Sequence, residues 1–218
     1  MKGTTVLPRL AAWMERLADR RLILASGIVF LVLAGLLFGT SAPFSIGHVT
    51  ALCGQAPPDV RFFTSAAELR GFMVGCGEAG RSAYRDLQIA DLFYPAVSGV
   101  FMASVLAMGL SRNDRLGRNW VAAAALPLIG SSFDYLENVA AWVTLLGSPA
   151  ERRAAATLLG LASAAKQTVS WAAGLLLVLV LGHALVRRVT SLRKGAGTGK
   201  ELDPKRARVA SGPRGHDS

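Results

Sequence analysis

Four long apolar runs organise this chain, over about residues 22–40, 88–110, 119–146 and 158–186. A hydrocarbon core about 30 Å thick needs roughly 20 helical residues to cross it, and each run meets that length. The runs are continuous rather than alternating in polarity. Backbone groups inside lipid must be satisfied within a helix or a closed barrel, so runs of this kind predict helices. The expected fold is all-α, an integral membrane four-helix bundle with a short helical extracytoplasmic loop over 41–87. The expected organisation is a cytoplasmic amphipathic leader over 1–21, a transmembrane domain over 22–187 and a disordered basic tail over 188–218.

The polar segments carry their own signals. "PRLAAWMERLADRR" sets Leu10, Trp13 and Leu17 at helical spacing with Arg9, Arg16 and Arg20 on other faces, and Pro8 suits a first turn. This predicts an interfacial helix. The first apolar run extends about 18 residues beyond its basic leader, longer than the 7–15 of a signal peptide, and is read as a retained anchor. In the loop, Ser65 with Glu68 forms a capping-box pattern, followed by Leu69, Phe72 and Met73 on one side. "GCGEAG" then breaks that helix, and a second one, starting near Arg81, is expected to run unbroken into the second span.

Charge orients the bundle. Of 24 Lys and Arg residues, seventeen lie in the leader, the 111–118 loop and the tail from Arg187, against six in the 41–87 and 147–157 loops. This positive-inside asymmetry places both termini in the cytoplasm. It also accounts for the formal charge of +10 without a nucleic-acid partner, because the basic residues flank apolar runs. Both cysteines, Cys53 and Cys76, then face an oxidising compartment, where a disulfide is expected over two free thiols.

The runs are not uniformly apolar. At about 1.5 Å per residue, Asp91 lies roughly 29 Å from Leu110, Glu137 and Asn138 roughly 26 Å from Trp120, and Lys166 roughly 32 Å from Arg187. Three spans thus carry ionisable groups at one level, in the outer third of the membrane. Asp134, Glu137 and Asn138 stand at i, i+3 and i+4 and are expected on one helix face. Arg81, Tyr84, Gln88 and Asp91 form a second stripe, and Lys166 with Gln167 lies on a third. Charges in hydrocarbon are costly unless paired or watered, so these stripes should face one another.

Two readings of the layer follow. One is an interhelical clasp that holds the bundle in register. The other is a pocket open to the outer leaflet, with Asp134 and Glu137 as its acid/base or cation-recognising pair. In that pocket Asn138 and Tyr84 orient the acids, Arg81 or Arg85 meets a head group, and Lys166 tunes the carboxylates. His48 and His183 lie apart from the acids, so no metal site and no cofactor is expected, and no nucleotide or nucleophile motif occurs. The expected ligand is a membrane lipid or small amphiphile. Proton-coupled or ion transport, and a non-enzymatic partner or homo-oligomeric subunit, stand as alternatives.

"GEAGRSAYRDLQIADLFYP" (Gly77–Pro95) and "LPLIGSSFDYLEN" (Leu126–Asn138) resemble an uncharacterised family of bacterial four-span membrane proteins. The shared elements are G-x-x-G-R-x-x-Y and F-D-x-L-E-N. The resemblance implies the bacterial inner membrane as location and a common use of Arg81, Tyr84, Asp91, Asp134, Glu137 and Asn138. It implies no reaction.

Overall fold

The computed structural model describes residues 6–113, 116–146 and 149–198. Among them the chain is helical, without a strand: α1 (Val6–Leu17), α2 (Arg20–Phe38), α3 (Ile46–Cys53), α4 (Ala66–Gly75), α5 (Gly77–Ala90), α6 (Tyr94–Ser111), α7 (Leu126–Leu146) and α8 (Pro149–Thr198). Three stretches are long and apolar enough to cross a membrane: Arg20–Phe38, Gly77–Ser111 and Glu151–Leu192. The helix Leu126–Leu146 is not one of them, because Asp134, Glu137 and Asn138 lower its hydropathy.

The chain divides into two compact units, Met1–Val180 and Leu181–Ser218. The described part of the second is the end of α8, in which Leu185, Val186, Val189 and Leu192 are exposed. Helix thus continues to Thr198, past the expected end of the fourth span near residue 186. The tail expected to be disordered lies, from residue 199 on, outside the described residues.

Within the first unit, α6 is the central helix. It packs on α1, α2, α7 and the 3-10 segment Arg118–Ala125. One apolar cluster gathers Leu37, Val49, Leu69, Phe72, Tyr84 and Leu159 with the Cys53–Cys76 disulfide. A second gathers Ala11 and Met14 of α1 with Leu106, Leu110, Val121 and Ala124. The leader therefore buries Ala11 and Met14, while Trp13 is half exposed. Its Glu15 accepts two hydrogen bonds from Arg118, at 2.8 and 2.9 Å, and these hold the Glu15 carboxyl below its ordinary range.

Two expected spans are less regular than their apolarity suggests. The second is interrupted by a turn at Asp91–Phe93 between α5 and α6. Pro95 explains the break: without an N–H it cannot bond the carbonyl four residues back, and it suits the first turn of a new helix. The third begins with 3-10 turns over Arg118–Ala125, and α-helix starts only at Leu126, just before Pro127. A 3-10 rise of about 2.0 Å per residue moves Asp134 roughly 3 Å further from Trp120 than an all-α span would.

The 41–87 segment is helical and tied together. Ser65 and Glu68 form the reciprocal capping box, and its hydrogen bonds hold the Glu68 carboxyl low. Gly77, at φ +61°, adopts the left-handed conformation that turns α4 into α5. The disulfide joins the end of α3 to the junction of α4 and α5, closing a loop that contains the 3-10 turn Pro58–Val60.

Candidate functional site

The site is built on α7, whose polar residues divide between two neighbours rather than sharing one face. Asp134 and Glu137 turn toward α8, where Lys166 Nζ lies 3.1 Å from Asp134 Oδ1 and pairs with Glu137 Oε2. Ser163, one turn earlier on α8, donates to Glu137 Oε1. Ser131, Tyr135 and Asn138 turn instead toward the α5–α6 break. Ser131 Oγ donates to the Pro95 carbonyl at 2.6 Å and Tyr135 to the Leu92 carbonyl at 2.8 Å. Asn138 Nδ2 donates to Asp91 Oδ2 at 3.2 Å. The Tyr135 bond satisfies a carbonyl that an unbroken helix would have satisfied internally.

A fourth acid completes the cluster, from the loop between α3 and α4. Asp59, in the 3-10 turn after Pro57 and Pro58, is buried at 7% exposure. Its carbonyl accepts from Lys166 Nζ at 3.0 Å, and Gln88 Nε2 donates to its Oδ2 at 2.9 Å. Burial pushes the Asp59 carboxyl above its ordinary value against the lowering pull of Lys166, and the charge of Asp134 adds to the rise. The only sequence signal was the stiff "PPDV" turn, which fixes where the carboxylate points but does not say that α8 receives it.

Asp59, Asp91, Asp134 and Lys166 line a cavity of about 320 Å³. Phe30, Leu37, Phe38, Ile46, Leu87 and Met102 line much of the rest, with Gln167 and three serines between. On α8 the cavity lies between the two apolar clusters: it spans Lys166 to Ala173, between Leu159 of the first cluster and Leu176 of the second. Seven helical residues make that depth about 10 Å. The cavity thus combines four ionisable side chains with a largely apolar lining.

The expected site residues separate accordingly. Asp91, Asp134, Lys166 and Gln167 reach the cavity. Glu137, Asn138 and Gln88 are buried behind it, holding Lys166, Asp91 and Asp59 in turn. Tyr84 is also fully buried, but it packs edge-on against Phe72 at 5.3 Å, and its hydroxyl has no partner; it does not orient Asp134 or Glu137. Arg81 and Arg85 are exposed and bond locally, to the Met73 carbonyl and to Ser82, so neither meets a head group in the cavity. Their stripe on α5 is real, yet its outer part faces away from the acids. Cys53 and Cys76 are bonded to each other.

Among the described residues no group of three or more His, Cys, Asp or Glu side chains is arranged to hold a metal ion. No family model, curated protein or solved structure matches the chain.

Proposed function

We propose that this protein is a multi-pass membrane protein whose cavity binds, or acts on, a small amphiphile or lipid near the outer leaflet. One observation carries the reading: a cavity of about 320 Å³ in which carboxylates and Lys166 meet a largely apolar lining. Ligand pockets of small molecules begin at about 300 Å³ and combine apolar walls with a few convergent polar groups. A purely structural clasp would close on itself, whereas Asp59, Asp91 and Asp134 also border the cavity. The proposed topology keeps four spans and both termini in the cytoplasm of a bacterial inner membrane. In it, α7 crosses as a polar-faced helix covered by its neighbours. Kinship with the bacterial four-span family rests on the two shared elements.

The cavity-facing acids, Asp59, Asp91 and Asp134, take the role first expected of Asp134 and Glu137 together. The test is lipid analysis of the purified protein. An amphiphile retained by the wild type should be lost from Met102→Trp, which fills the cavity from its apolar lining, and reduced in Asp134→Asn. Equal retention in wild type and Met102→Trp would refute the pocket.

A further inference from the structure

The cavity's hydrogen-bonding groups are unequally committed. An ammonium has three N–H donors. Those of Lys166 face Asp134 Oδ1, Glu137 Oε2 and the Asp59 carbonyl, so its hydrogen-bonding capacity is met inside the protein. Ser98 and Ser131 donate to backbone carbonyls of α6 and α7. The acceptors are in the opposite condition. Asp59 is nine-tenths buried, lines the cavity, and its Oδ1 has no hydrogen-bond partner among the described residues. Three carboxylates therefore border the cavity against one ammonium that is already engaged.

The aromatic lining points the same way. Phe30, Phe38 and Tyr94 all line the cavity, with ring centroids 5.8 Å apart for Phe30 and Tyr94 and 5.5 Å for Phe38 and Tyr94. Aromatic rings beside carboxylates attract organic cations through the ring quadrupole, and they do so most strongly where water is excluded. A phosphate or carboxylate head group would find no free charged donor and would meet the acids at close range.

We propose that the ligand's head group is cationic, an amine or alkylammonium. It donates to, or sits against, Asp59 and Asp134, while its chain lies along the apolar lining. This rests on the pocket reading and specifies its ligand class.

The experiment uses the full-length protein in phosphatidylcholine nanodiscs, with three probes of one chain length: an alkyltrimethylammonium, the matching alcohol and the matching alkyl phosphate. Binding is measured against empty nanodiscs. The expected result is a preference of about tenfold or more for the ammonium over the alcohol, the scale of a contact between charged groups. That preference should shrink in Asp59→Asn and again in Asp134→Asn, and Met102→Trp should abolish binding of the ammonium. If alcohol or phosphate binds as well as the ammonium, and Met102→Trp still abolishes it, the cationic proposal fails and the pocket survives. If no probe is displaced by Met102→Trp, both fail. The wild-type comparison decides between head groups even if an acid variant misfolds.

Discussion

Replacing Lys166 with methionine removes a cation and retains most of the stem. The ammonium contacts Asp134 and Glu137 of α7 and the Asp59 carbonyl of the loop, so one substitution releases three bonds. Unit charges about 4 Å apart attract by about 4 kcal/mol at an effective dielectric near 20. Most of that attraction is offset by the cost of withdrawing the charges from water, so its net value is small. Removing one partner is different, because Asp134 and Glu137 would stay buried without compensation. That costs about 3–5 kcal/mol. The triple variant Lys166→Met, Asp134→Asn, Glu137→Gln should recover most of this loss, since no charge then remains stranded. Unfolding free energies of the wild type, the single and the triple variant, measured in one detergent at neutral pH, make the comparison. A single variant within about 1 kcal/mol of wild type would refute the reasoning, for it would mean that water already reaches these acids. So would a triple variant no more stable than the single.

Cys53→Ser opens a loop closed across 23 positions and should cost about 3 kcal/mol by loop-closure entropy, read as a lower unfolding midpoint under non-reducing conditions that reductant reproduces in the wild type. Tyr135→Phe strips the Leu92 carbonyl of its donor at the helix break, and chemical denaturation should register a loss of about 1 kcal/mol. Because burial raises the Asp59 pKa, the native state holds that proton more tightly than the unfolded chain does. Its contribution is therefore full below the unfolded value of about 3.9 and is lost as pH rises through the folded value. A stability–pH curve for Asp59→Asn should lack this decline, and identical curves for wild type and variant would exclude it.

The legible parts of this fold were those written in local spacing. Apolar length located α2, α6 and α8, the Ser65–Glu68 pair located α4, and helical depth brought Asp91, Asp134 and Lys166 to one level. What escaped depended on neighbours. Pro95 stood in plain view, but what meets the break at Asp91–Phe93 did not: Tyr135 of another helix donates to the freed Leu92 carbonyl and Asn138 to the Asp91 side chain. The i, i+3, i+4 spacing was taken for a single face, yet such a face is wide enough for Glu137 and Asn138 to serve opposite neighbours. Asp59 carried no periodic signal, because a residue between a diproline and a loop has no register to measure. Arg81 and Arg85 shared a stripe with buried residues, but a long helix can be covered at one end and bare at the other.

Lys166 lies 107 positions after Asp59 and 32 after Asp134. During synthesis the four carboxylates consequently emerge before their cation, and on the proposed topology three of them enter the membrane first. Until α8 is inserted, they must remain protonated, stay near water or be sheltered by the insertion machinery. On that topology α8, which supplies the cation, joins the bundle after the helices that carry the acids.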